Sequence, residues 1–167
     1  MGGSSGGGFL SGDIARLEEA AKEKLKDANS DSVPHVFISF AFEDIDNINL
    51  LRGQAKNEFS ELEFDDYSVK EAFNSANAEY IKSQIRKKIE RASVTLIFLT
   101  AHSAKSSWVK WEVEESIAQG KGLVAVYKGD IQPTLPAALV KANAKVVKWK
   151  HSELIAAIEE ARSKRKK

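Results

Sequence analysis

Three short, nearly continuous apolar runs limit what this chain can fold into more than any other feature. They are His35-Val36-Phe37-Ile38-Ser39-Phe40, Val94-Thr95-Leu96-Ile97-Phe98-Leu99 and Leu123-Val124-Ala125-Val126-Tyr127. A strand that alternates apolar and polar residues has one wet face, whereas a run apolar at almost every position fits a strand buried on both faces of a parallel sheet. Leu62-Glu63-Phe64 is a weaker strand suited to a place nearer the edge, and Lys145-Val146-Val147-Lys148-Trp149 a final short one. Helical spacing fills the gaps: Ile48, Leu51, Ala55 and Phe59; Ile81, Ile85, Ile89 and Ala92; a short helix near Leu135 to Lys141; and Leu154, Ile158 and Ala161. Strands that alternate with helices give a parallel sheet with right-handed crossovers and helices on both faces. The expectation is a flavodoxin-like α/β three-layer sandwich with a five-stranded parallel sheet in order 2-1-3-4-5. Ligands in such folds sit at the carboxyl ends of the strands, beside the switch point between the first and third strands. The loops that meet there are Ala41 to Asp46 and Ala101 to Ser107.

One segment stands out against this scaffold. In Ser106-Ser107-Trp108-Val109-Lys110-Trp111-Glu112-Val113-Glu114-Glu115-Ser116-Ile117 a serine offers an N-cap for a helix that should run to the Gly120-Lys121-Gly122 stop. Val109, Val113, Ser116 and Ile117 should face the core. Trp108 and Glu112, one turn apart, stand together on the shoulder of that stripe. Glu112 is expected to be half-buried, and Glu114 and Glu115 to project toward solvent.

The 167 residues divide into a Gly/Ser-rich lead-in over residues 1–12, an amphipathic helix (Asp13 to Ala28) and linker over 13–33, the domain proper over 34–163, and a basic tail over 164–167. The lead-in is too poor in apolar residues to order itself. The helix is expected to pack on the domain or, alternatively, to serve self-association or contact with a partner protein. A formal charge of +1 exerts no global pull toward nucleic acid, and no apolar run approaches membrane-spanning length. The chain has no cysteine, which excludes disulfides, thiolate metal sites and cysteine nucleophiles. A cytoplasmic location is expected. His35, His102 and His151 are far apart and near no ligand-spaced carboxylate cluster, so no metal site is expected. There is no serine-hydrolase elbow, and Gly120-Lys121-Gly122 lacks the spacing of a phosphate loop. A phospho-acceptor receiver would need an aspartate where Leu99-Thr100-Ala101 stands.

Val36-Phe37-Ile38-Ser39-Phe40, the strand ending Phe98-Leu99-Thr100, the serine-Trp-x-x-x-Glu spacing of Ser107 to Glu112, and Gly122-Leu123-Val124-Ala125-Val126 together resemble a TIR domain, in particular the bacterial TIR-like group of Thoeris-type antiphage defence. The resemblance is close over Pro34 to Val126. It implies a catalytic glutamate at Glu112, NAD+ as substrate rather than cofactor, cleavage of the nicotinamide–ribose bond, and release of nicotinamide with ADP-ribose or a cyclised product. That product would signal to a separate effector, and the enzyme would work as a homo-oligomer. Phe40, Phe42 and Trp108 are the aromatic candidates for holding the cationic ring by stacking and cation–π attraction. Asp44 is a candidate for the ribose hydroxyls or, alternatively, a helix cap, and Ser68 and Ser75 lie in the loop after the second strand. That loop, Asp65 to Asn77, lacks the Arg-Asp and Pro-Gly signature of adaptor-type TIR domains. The alternative to an enzyme is a non-catalytic TIR-like interaction or nucleotide-sensing module.

Overall fold

The computed structural model describes residues 15–19, 35–57, 63–66 and 72–164. By its contacts the chain separates into two units, Met1–Val33 and Pro34–Lys167. In the first, residues 15–19 are helical and exposed, and the remainder of the expected helix over 13–28 lies outside the described residues.

The second unit opens with β1 (His35–Ser39), whose last four residues are buried. A single 3-10 turn, Phe42–Asp44, leads directly into α1 (Ile45–Asn57), which buries Ile48 and Leu51. The edge strand β2 (Glu63–Asp66) follows, then α2 (Ala78–Arg91), with Ile81, Ile85 and Ile89 buried at helical spacing. The central strand β3 (Val94–Phe98) is buried along its whole length. After it come α3 (Ala101–Lys105), α4 (Ser107–Ala118), β4 (Gly122–Tyr127), α5 (Ala137–Lys141), the half-buried β5 (Lys145–Lys148) and α6 (His151–Lys164). All four strand pairings are parallel, and the sheet order is β2-β1-β3-β4-β5.

Because side chains in a strand alternate between faces, each strand divides its residues between two layers. On one face Val36, Ile38, Phe40, Leu96, Phe98, Val124 and Val126 pack with α1 and α6 through Ile48, Leu51, Leu154 and Ile158. On the other, Ile97, Leu99 and Ala125 meet Val109 and Val113 of α4, and Phe37 meets Ile81, Ile85 and Ile89 of α2. Helix α4 therefore lies across β1, β3 and β4, flanked by α2 and α5. Among the described residues no helix is long and apolar enough to cross a membrane.

Two local features fix the end of α4 and the start of β4. Gly120 adopts a left-handed conformation (φ 72°), while the amides of Gly120 and Lys121 donate to the carbonyls of Ile117 and Ser116. This is the double bond of a Schellman cap, and glycine takes that conformation without the penalty of a Cβ. Gly122 is needed for a different reason: a Cβ there would sit 2.4 Å from the backbone oxygen of Ala161 in α6. Gly122→Ala is expected to lower the unfolding free energy by about 1–3 kcal/mol through overpacking against a rigid helix. Urea denaturation of both proteins measures this, and an unchanged midpoint would show that α6 moves aside freely.

Candidate active site

The expected stripe on α4 is shifted by one position. Val109, Val113 and Ser116 are buried, but Ile117 is 42% exposed and the fourth inward position belongs to Glu112, which is 3% exposed. Buried positions 109, 112, 113 and 116 follow the i, i+3, i+4, i+7 pattern of a helix lying on a sheet, so Ile117 falls outside the contact arc. Glu112 is thus more deeply buried than the half-buried shoulder position expected of it. Ser106 caps the helix, its Oγ accepting the Val109 amide at 3.2 Å.

Burying a carboxylate is costly unless it is hydrogen-bonded. Ser39, fully buried at the carboxyl end of β1, donates its hydroxyl to Glu112 Oε1 at 3.1 Å. One turn further on, the Ser116 hydroxyl donates to the backbone carbonyl of Glu112 at 2.7 Å and lies 2.8 Å from the Thr95 hydroxyl of β3. The other two glutamates serve differently. Glu114 is exposed, whereas Glu115 is partly buried against α2, with Arg86 Nε 3.6 Å from its Oε1 and Gln119 Nε2 donating at 2.9 Å.

The switch point is built from the loops after β1 and β3. Thr100, at the end of β3, donates its hydroxyl to Asp44 Oδ2 at 2.6 Å and accepts the amides of His102 and Ser103. The Ser103 hydroxyl in turn accepts the Thr100 amide at 2.8 Å, completing a capping box. This cap explains why Ala101 to Ser107, expected to be a loop, contains α3. It also assigns Asp44. At 5% exposure its carboxylate latches the β1 loop to the β3 loop directly before the first residue of α1.

The aromatic candidates separate. Phe40, 7% exposed, belongs to the core with α1 and α6. Alternation along the chain explains this correction: since Ser39 faces Glu112, Phe40 faces the opposite layer. Phe42 is 45% exposed on the turn after β1. Trp108 is half-buried against α2, in edge contact with Phe73 (centroids 4.9 Å apart) and Trp111 (6.2 Å), so its ring is committed in part to packing. Lys82 Nζ stands 4.4 Å from the Phe73 centroid and Arg86 lies 5.3 Å from that of Trp111, extending the cluster along α2. Ser75 is half-buried just before α2, its amide bonded to the Ala72 carbonyl, and Ser68 lies outside the described residues. Glu112 thus meets Ser39 of β1, Asp44 meets Thr100 after β3, Trp108 packs toward α2, and Phe40 belongs to the opposite layer.

Sequence reasoning missed Ser39 and the Thr95–Ser116 pair. Their signal was available, because Ser39 and Thr95 are the polar interruptions of otherwise apolar buried strands. A groove of about 540 Å³ lies at the opposite end of the sheet, between Gly122, Asn143, Lys145 and Glu160, away from Glu112. There the Glu160 carboxyl is held below its ordinary range by hydrogen bonds from Lys164 and Lys145. Among the described residues no group of three or more His, Asp or Glu is placed to hold a metal ion.

The parallel α/β sandwich thus carries the buried Glu112 of α4 beside its first strand. Residues 37–132 match the family model described as Thoeris protein ThsB, TIR-like domain, and the chain belongs to that family. No curated protein matches it. Among solved structures it is similar to the CMP N-glycosidase BcmB of Clostridium botulinum, at 13% identity and a TM-score of 0.47, over 75% of this chain and 98% of that one. Likeness at that level says nothing about substrate.

The Asp44–Thr100 latch has a measurable value. Thr100→Val removes both the donor to a buried carboxylate and the cap of α3, and is expected to cost about 1–3 kcal/mol in unfolding free energy, while Thr100→Ser keeps most of it. Loss in Thr100→Ser with none in Thr100→Val, measured by chemical denaturation, would mean that the methyl group rather than the hydroxyl matters.

Proposed function

We propose that this protein cleaves the bond between nicotinamide and ribose in NAD+, with Glu112 as the catalytic carboxylate. The observation that carries the reading is the place of Glu112: a carboxylate occupies an inward position of α4 where packing alone would favour an apolar residue, at the carboxyl end of β1. Departures from local packing rules concentrate at functional sites. Breaking the bond builds positive, oxocarbenium-like charge on the ribose, and an ionised carboxylate held beside it stabilises that charge, as in glycoside hydrolysis. Nicotinamide departs as a neutral molecule from a pyridinium, taking the bonding electron pair, so the leaving group needs no protonation. Water then adds to the ribose carbon and loses a proton, giving ADP-ribose. Attack by a nitrogen of the adenine in place of water gives a cyclised product. Asp44 would meet ribose hydroxyls in exchange for its bond to Thr100, and Trp108 and Phe42 are the aromatic groups left to contact the nicotinamide ring.

Membership in a Thoeris family supports a role in antiphage defence, in which the released nucleotide signals to a separate effector and the enzyme acts as a homo-oligomer in the cytoplasm. NAD+ is the substrate, and the reaction calls for no cofactor. A second reading, a non-catalytic interaction or nucleotide-sensing module, draws on one observation: Glu112 and Ser39 are closed off from solvent, so a ribose reaches the carboxylate only after the site opens.

The two readings separate in a product assay by chromatography and mass spectrometry. Wild type and Glu112→Gln are incubated with NAD+ at high protein concentration, and again in extract from phage-infected cells. Nicotinamide release is expected from wild type and to fall by about 10²–10³ in Glu112→Gln. The mass of the second product distinguishes hydrolysis from cyclisation. Release that survives the substitution removes Glu112 from the chemistry, and absence of release under both conditions favours the module.

A further inference from the structure

We propose that Ser39 is a positioning residue for the Glu112 carboxylate and that Thr95 and Ser116 position its backbone, so that hydroxyls from β1, β3 and α4 together hold one orientation of the glutamate. The inference rests on the reading in which Glu112 acts on substrate, and it extends that reading to three residues that do not touch the ribose.

The first ground is composition. Within β1, Ser39 is the polar residue of the fully buried stretch Val36 to Ser39, and within β3 Thr95 is the polar residue of Val94 to Phe98. A valine in either place would fill the same layer without the cost of desolvating a hydroxyl. Both residues face α4, and their hydrogen bonds end on the same glutamate, one on its side chain and the other, through Ser116, on its backbone.

The second ground is proton accounting. Each hydroxyl carries one hydrogen. The hydrogen of Ser39 goes to Glu112 Oε1 and that of Ser116 to the Glu112 carbonyl, so in the Thr95–Ser116 pair Thr95 is the donor and the Ser116 oxygen the acceptor. The chain therefore has one direction, from β3 through Ser116 to the turn of α4 that carries Glu112. Its effect is to pin that turn to β3 while Ser39 pins the carboxylate to β1. These are the two strands that define the switch point.

The third ground is what orientation is worth. A glutamate has three side-chain torsions, and catalytic rates are sensitive to misplacement on the ångström scale. A hydroxyl that donates to one carboxylate oxygen restrains those torsions.

The test uses the full chain with Ser39→Ala, Ser39→Cys, Thr95→Val, Glu112→Gln and the double variant Ser39→Ala/Glu112→Gln. Steady-state nicotinamide release should show kcat reduced about tenfold in Ser39→Ala, as expected for loss of a hydrogen bond to a charged group, with KM within about twofold. Ser39→Cys, similar in shape but a weak donor, should fall between Ser39→Ala and wild type, and the double variant should be no slower than Glu112→Gln alone. A kcat for Ser39→Ala within twofold of wild type, or a double variant slower by the full product of the two single losses, overturns the proposal. A second readout does not depend on turnover. With ¹³C-labelled glutamate, the Glu112 carboxyl resonance, assigned by its absence in Glu112→Gln, should shift or broaden in Ser39→Ala and move less in Ser39→Cys. Thr95→Val should perturb the backbone amide resonances of the Glu112 turn. An unmoved carboxyl resonance in Ser39→Ala rejects positioning even if the enzyme proves silent, whereas nicotinamide release indifferent to Glu112→Gln removes Glu112 from the chemistry and leaves the resonance to decide the role of Ser39.

Discussion

The contact between Ser39 and Glu112 joins the first strand to α4, and the layer in which each neighbouring group lies follows from it. A parallel sheet covered on both faces leaves no wet side on which a polar strand residue can be placed. Once Ser39 faces α4, Phe37 must face the α2 side of the same layer, and Val36, Ile38 and Phe40 must face α1 and α6. Register carries the constraint to the next strand: Ser39 is level with Ile97 and Phe37 with Thr95. Ile97 then meets Val109 and Val113, while Thr95 meets Ser116 one turn below Glu112. The glutamate is thus set into a layer whose other occupants are fixed by the pleat.

The strands and long helices were legible because burial on two faces and burial on one face leave different periods in a sequence. Val94 to Leu99 could hardly be anything but a central strand, and Ile81, Ile85 and Ile89 could only be one face of a helix. The site was legible to a lesser degree, for physical reasons that differ by residue. Glu112 was visible from its spacing to Trp108, yet its depth was underestimated because a carboxylate and an isoleucine competed for the inward face, and hydrophobicity alone favours Ile117. Ile117 falls outside the arc that meets the sheet, whereas Glu112 falls within it and meets Ser39 of β1. Phe40 was misplaced because aromatic character was weighed without parity. Helix α3 was missed because five residues are too few for a periodic signal, and its cap is recognisable only when Thr100 and Ser103 are read as a reciprocal pair.

Asp44 and Glu112 are both buried carboxylates near the same end of the sheet, and the elements that hold them give them different freedom. Asp44 lies in a single 3-10 turn and is bound through Thr100 to the amides that start α3, so its hydrogen bond is part of the fold of two loops. Displacing it would unfasten a helix cap. Glu112 lies within a continuous twelve-residue helix whose cap, Ser106, is more than a turn away. Its carboxylate accepts from the side chain of Ser39, and the backbone hydrogen bonds of the helix do not run through it. Of the two, Glu112 is the carboxylate that accepts from a strand side chain, whereas Asp44 accepts from a residue that caps a helix.

Access then becomes a question about what lies over the helix rather than about the helix itself. The half-buried Trp108 stands one turn before Glu112 and touches Phe73, which lies in the segment leading into α2. An edge-on aromatic pair of this kind contributes about 0.5–1.5 kcal/mol beyond its buried area, small enough to be broken by a ligand that offers Trp108 a flat, cationic ring in exchange. A nicotinamide ring is such a ligand. In this view the packing of Trp108 and its proposed contact with substrate are successive states of one side chain.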